Sequence, residues 1–261
     1  MLELYHNVNS VCAQKVRVAL AEKGLDYKEH LIDLRGGQFD PAYMKLNPNA
    51  VVPTLVHDGR PVIESSVILY YLEEAFPKPA LMPQDLHQRA AVRQFNKLID
   101  EYVHNSCTIL TFATAFRPWF AGLTGEEIEQ RLAKSPSKQR TEYKRDVALK
   151  GLDSPYVRQA LDYHLKLLKM MDEALARGAW LAGAQFSLAD AAVIPYILRL
   201  DLLRLKALFS PQVGDWYVRM RARPSVRREM LERMTPQDRA PFEKLEPDPW
   251  PKVKTLMEES A

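Results

Sequence analysis

Apolar positions change their spacing several times along the chain. "LELY" (Leu2–Tyr5) is a short apolar run between polar residues, as in a buried strand. From Cys12, with Val16, Ala19 and Leu20, the period becomes helical, and Gly24 closes the segment. Tyr27–Leu34 reads as a second strand, and Pro41–Leu46 as a short helix opened by proline. Asp58-Gly59 between two apolar runs predicts a two-residue hairpin. Glu64–Phe76 predicts a helix with Val67, Ile68, Tyr71 and Leu72 on its apolar face. This order, βαβ, short helix, ββα, predicts a mixed sheet covered by helices.

After the three prolines of "PKPALMPQD" the strand signals stop. Helices are predicted from Leu86 to about Phe112, Ser154 to Ala176, Ser187 to Leu208 and Trp216 to Met234. The fold class is therefore α/β plus all-α: a mixed domain over 1–77, a linker over 78–86 and an all-helical domain over 87–234. Residues 117–153 are charged and weakly periodic, which predicts an inserted long loop carrying a short helix and serving as a lid. The tail, 235–261, holds five of the 18 prolines. It is expected to wrap the surface in extended form, pinned by Phe242, Trp250 and Leu256.

Composition adds exclusions. The 261 residues are 47% hydrophobic and 26% charged, ordinary for a globular protein with one large core or two modest ones. A net charge of +3, with acids and bases alternating, does not argue for a nucleic-acid partner. No apolar run approaches the ~20 residues of a membrane helix, and the N-terminus lacks the pattern of a signal peptide. Two cysteines, Cys12 and Cys107, lie far apart, so a reducing cytoplasm is expected rather than a disulfide framework. His6 and His104 show no ligand spacing with each other or with either cysteine, and no metal is expected.

Four local signals bear on chemistry. In "YHNVNSVCAQKVRVAL", Ser10 stands at a helix start and Cys12 two residues on. Ser10 reads as an N-cap and Cys12 as a small buried residue. The same placement stabilises a thiolate, either that of Cys12 or that of a thiol ligand hydrogen-bonded by Ser10. In "NAVVPTLV", Pro53 enters a strand; a cis bond there would leave the Val52 backbone free to pair with an extended peptide. Glu64-Ser65 begins another helix, either as a cap or as acceptor for an ammonium group with a carboxylate held by Ser65. Ser187 and Asp190 in "FSLADA" have capping-box spacing, a structural signal.

Together, "LNPNAVVPTL", "ESSVILYYLEE" and "FSLADA", in this order, resemble the cytosolic glutathione transferases. The resemblance runs from Met1 to about Pro224 and implies a thioredoxin-like domain followed by the family's helical domain. "SVCAQKVRVALAEKGLDY" is similar to the zeta-class opening (maleylacetoacetate isomerase) and to the bacterial reductive dehalogenase of chlorinated hydroquinones. "ESSVILYYLEEAFP" and "RAAVRQFNKLIDEY" resemble the bacterial β-etherases of lignin-derived aryl ethers.

The resemblance implies a cytoplasmic, homodimeric detoxification enzyme that uses glutathione as cosubstrate. It would activate the glutathione thiolate for attack on a hydrophobic, aromatic electrophile, by conjugation or ether cleavage. Cys12-dependent reductive dehalogenation or thiol reduction, a zeta-like isomerisation and a glutathione-binding regulatory protein are the alternatives. By position, Ser10 and Cys12 are catalytic, while Gln38, Val52, Pro53, Glu64 and Ser65 bind glutathione. Val51 stands where relatives often carry Lys or Gln. Tyr102, Asn105, Ser106, Phe112, Phe116 and Trp119 are the candidate lining for the electrophile.

Overall fold

The computed structural model describes residues 1–259; Ser260 and Ala261, the end of the tail, lie outside the described residues. The first unit is β1 (Leu2–His6), α1 (Val11–Glu22), β2 (Lys28–Leu31), α2 (Pro41–Leu46), β3 (Thr54–His57), β4 (Arg60–Val62) and α3 (Ser65–Ala75). Its sheet has the order β2-β1-β3-β4, with β1 parallel to β2 and antiparallel to β3. Period-two alternation does the sorting. Leu2, Leu4 and His6 are buried, and Leu4 pairs with the equally buried Leu55. Tyr5 points to the other face, where it meets Tyr43 of α2. The second strand is shorter than the expected Tyr27–Leu34, because the chain turns at Asp33 and Arg35.

The linker is tied down at both ends. Lys23 Nζ donates to the carbonyls of Phe76 at 2.7 Å and Pro79 at 3.0 Å, and Glu73 accepts from the amides of Leu81 and Met82.

The helical unit begins with α4 (Leu86–Leu98), a π turn (Ile99–Val103) and α5 (His104–Ala113), which together form the expected long helix with one widened turn. Next come α6 (Gly125–Leu132), α7 (Lys138–Lys150), α8 (Pro155–Leu175) and α9 (Leu188–Leu202). The central α9 is buried from Leu188 to Leu200 and packs on α1. Its start is the predicted capping box: the Ser187 side chain accepts from the first-turn amides, Asp190 accepts from the Ser187 amide, and Asp190 also accepts from Trp216 Nε1 at 2.8 Å. α10 (Pro211–Ala222) starts five residues before the expected Trp216, capped by Ser210, and α11 (Pro224–Val226) follows.

Two expectations are corrected. The insertion is not a loop with one short helix, since α7 is a 13-residue helix that buries Tyr143, Val147 and Ala148. Its few apolar positions leave little periodicity to read, but the caps Thr124 and Ser137 mark both starts. The tail is not extended either. It forms α12 (Pro236–Glu243) and α13 (Trp250–Glu258), with Pro236 and Pro251 in the first turns, where they cost no hydrogen bond, and Pro241 inside α12. Phe242, Leu245 and Val253 are buried, and Trp250 and Leu256 pack on the core.

Candidate functional site

A cavity of about 590 Å³ opens where the sheet domain meets the helical domain. From the first it takes Cys12, Val52, Pro53, Glu64 and Ser65; from the second, His104, Asn105 and Tyr143.

Local structure places each group. Ser10 caps α1, its Oγ accepting from the Ala13 amide at 3.3 Å. That bond uses a lone pair of the hydroxyl and leaves its O–H free to donate, but Ser10 is not among the cavity-lining residues. Cys12, in the first turn of α1, does line it. The Val52–Pro53 bond is cis, at the entry to β3. Glu64 precedes α3 with φ +67°, a conformation that L-residues rarely adopt. Its Oε1 accepts from Asn49 Nδ2 at 3.2 Å.

Beside Cys12 lies a polar cluster joining the two domains, buried at Lys15, Ser66 and Asn96 and half-exposed at Asp100. Lys15 Nζ donates to Ser66 Oγ at 2.8 Å and to Asp100 Oδ1 at 3.3 Å. Ser66 Oγ in turn lies 2.8 Å from Asp100 Oδ1 and 3.1 Å from Asn96 Oδ1. Burial alone would raise the Cys12 thiol. The charge and hydrogen bond of His104, the Lys15 ammonium and the Ser65 hydroxyl outweigh it and bring the thiol down to about 6. Cys107, deeper in α5, is pushed up to about 11 by burial and stays a thiol.

The remaining candidates divide. Gln38 is turned into its own loop: its amide donates to the Leu34 carbonyl at 3.1 Å and accepts from the Gly36 amide at 3.1 Å. Asn105 lines the cavity and accepts from the Tyr143 hydroxyl at 3.3 Å. Tyr102 points elsewhere and stacks on Tyr163, with centroids 4.6 Å apart. Ser106 is buried and donates to the Tyr102 carbonyl. Phe112, Phe116 and Trp119 form a separate aromatic cluster, in which Phe116 and Trp119 stack at 3.9 Å and Phe242 of α12 closes one side. They are not among the residues lining the Cys12 cavity.

Sequence reasoning passed over four groups that the fold brings here: Asn49, His104, Arg140 and Tyr143. Asn49 lies inside the quoted "LNPNAVVPTL", so its motif carried the signal; the other three come from helices distant in sequence, with no local mark. Among the described residues no group of three or more His, Cys, Asp or Glu side chains converges as a metal ion would need. No helix there is long and apolar enough to cross a membrane.

The family model for the glutathione S-transferase N-terminal domain matches residues 9–75, and that for the C-terminal domain matches 134–224. The chain belongs to the glutathione S-transferase family. The thioredoxin-like and helical domains implied by the sequence resemblance are therefore those of a glutathione S-transferase. Glutathione S-transferase TCHQD of Arabidopsis thaliana is 29% identical over 238 residues, 87% of this chain and 88% of that protein. Protein LigF of Sphingobium sp. is 28% identical over 252 residues, 91% and 95% of the two chains. The crystal structure of β-etherase LigF superposes with a TM-score of 0.77 at 25% identity, covering 88% of this chain and 99% of that one. Mouse maleylacetoacetate isomerase is 44% identical over 99 residues, but these span only 37% of this chain and 46% of that protein.

Proposed function

We propose that this glutathione S-transferase uses Cys12 as its working nucleophile on glutathione-linked aromatic substrates. Glutathione would enter the cavity with its γ-glutamyl ammonium on Glu64 and its carboxylate at Ser65, where the start of α3 offers amides. Its cysteinyl part would pair with the backbone of Val52, which sets the sulfur beside α1. The observation that carries this reading is that Cys12 lines the cavity and Ser10 does not.

The chemistry follows in balanced steps. The glutathione thiolate displaces a leaving group from an activated carbon and gives a thioether. The Cys12 thiolate attacks the sulfur of that thioether, and the electron pair of the broken C–S bond leaves on carbon, which takes a proton. A second glutathione resolves the Cys12 mixed disulfide as glutathione disulfide. A carbon next to an aryl ketone or a phenol fits, because it can carry the departing pair.

The likeness to β-etherase LigF, over 95% of that protein, favours a second reading. In it the conjugate itself is the product of ether cleavage or conjugation, and the Ser10 O–H, unused in the cap, donates to the glutathione sulfur. The two readings share glutathione as cosubstrate, a hydrophobic small-molecule electrophile as partner, and no membrane or nucleic-acid partner. A homodimer in the cytoplasm with a detoxifying role follows from the family likeness.

The test is S-phenacylglutathione with glutathione. Wild type and Ser10→Ala are expected to release acetophenone and glutathione disulfide, and Cys12→Ala is not. Release that survives Cys12→Ala and disappears in Ser10→Ala overturns the Cys12 reading.

A further inference from the structure

The sulfur of Cys12 has a partner from the other domain. Cys12 Sγ lies 3.4 Å from Nδ1 and 3.9 Å from Nε2 of His104, the first residue of α5. Tyr196 of the buried α9 completes the group: its hydroxyl is 3.4 Å from His104 Nδ1 and 3.8 Å from the sulfur. The two rings meet edge-on at 90°. His104 is half-buried and lines the cavity, so its ring lies between a fixed hydroxyl, the sulfur and the space where a substrate would sit.

The other groups around the sulfur are less suited to move a proton. Lys15, on the same helix, is engaged by Ser66 and Asp100. Ser65 of α3 offers a hydroxyl, and Cys107 of α5 stays protonated. Asp100, Glu64 and Arg140 line the same cavity, but the sulfur's hydrogen-bonding neighbours are His104 and Tyr196. Among these groups His104 is the one that both touches the sulfur and belongs to the residue type that exchanges a proton near neutrality.

We propose that His104 is a catalytic residue of the Cys12 reaction, which takes the Cys12 proton and delivers it to the departing carbon. The proposal rests on the reading of Cys12 as nucleophile. The proton moves from the thiol to the imidazole and leaves a thiolate–imidazolium pair. The thiolate forms the S–S bond with the glutathionyl sulfur, the C–S bond breaks, and the imidazolium protonates the carbon. The second glutathione gives its thiol proton back to the imidazole before its thiolate attacks the mixed disulfide. The carbon is reduced, two glutathione sulfurs are oxidised to one disulfide, and the pair is restored.

The experiment is a pH titration of thiolate absorbance, with Cys12→Ala subtracted from wild type so that Cys12 alone is read. The same difference is taken in the His104→Gln and His104→Asn backgrounds. The wild-type midpoint is expected near 6. Without the imidazole it is expected to move up by one to three pH units, towards the ~8.5 of a free cysteine. A midpoint unmoved in both His104 variants overturns the proposal. A merely structural role would change unfolding and leave the titration where it was. Release of acetophenone from S-phenacylglutathione separates the two levels. If release survives Cys12→Ala, the Cys12 reading and the proposal fall together. If release needs Cys12 while its titration and the pH profile of kcat ignore His104, only the proposal falls.

Discussion

Removing the carboxylate of Asp100 is a sharp test of how the floor of the site is held. The Lys15 side chain is 0% exposed and that of Asp100 is 47% exposed, so the two ends of this ion pair are not equivalent. Asp100→Ala leaves an interior ammonium ion with the Ser66 hydroxyl at 2.8 Å as its remaining partner. Stripping a buried charge of its partner costs about 3–5 kcal/mol. Water from the adjoining cavity can fill the vacated place, which brings the expectation to about 2–3 kcal/mol. Lys15→Met removes the charge, keeps most of the volume and leaves Asp100 half in water, so it should cost less than about 1.5 kcal/mol. The double variant should be more stable than Asp100→Ala by about 1–2 kcal/mol, since the stranded charge is gone. Urea unfolding followed by tryptophan fluorescence measures all four proteins at once, provided their m-values agree. The reasoning is refuted if Lys15→Met proves the costlier single change, or if the double variant is no better than Asp100→Ala.

Other expectations follow from single residues. Glu64→Gly relieves the φ of +67° and should raise stability by about 1 kcal/mol, while glutathione Kd rises at least tenfold; calorimetry and unfolding on one preparation check both halves. Asp190→Ala should cost about 3 kcal/mol or more, because it leaves the amides of Leu181 and Ser187 and the Trp216 indole without their acceptor; a loss below about 1 kcal/mol in urea would contradict it. Burial first, with Arg17 beside His6, holds His6 and His164 down at about 4. The unfolded chain therefore binds protons that the native state refuses between about 6.5 and 4. Stability should fall as pH drops through that window, by on the order of 3 kcal/mol per histidine. His164→Gln should flatten the pH dependence of the urea midpoint, and an unchanged slope would assign the loss elsewhere.

What was legible in the sequence were signals confined to a few neighbouring residues. Ser187 and Asp190 stand three apart, and the structure closes them into the box their spacing describes. Asp58-Gly59 turns the hairpin between β3 and β4, and the order of strands and helices matches. The tail misled because five prolines suggested an extended chain. Yet Thr235-Pro236 with Asp238 is itself a helix start, and it forms a capping box. Motifs likewise placed Glu64 and Ser65 beside Val52 at one cavity. The meeting of Cys12 with His104, 92 residues apart, had no local mark. It depends on how α1 and α5 each pack around α9, a matter of tertiary geometry that spacing along the chain does not encode. Gln38 shows the converse: its position along the chain matched a motif, but its amide folds back on its own loop.

The widened turn at Ile99–Val103 has a bearing on how this chain should be aligned with its relatives. One residue inserted into a helix rotates everything after it by about 100° relative to what came before. A relative with an unbroken helix would present α4-like residues in the same register, yet a different side chain at the place of His104. Transferring residue roles across this stretch by helical period alone would thus land one position off on one side of the turn. A single-residue gap within 99–103 is the correspondence that keeps Asp100 beside Lys15 and His104 beside Cys12.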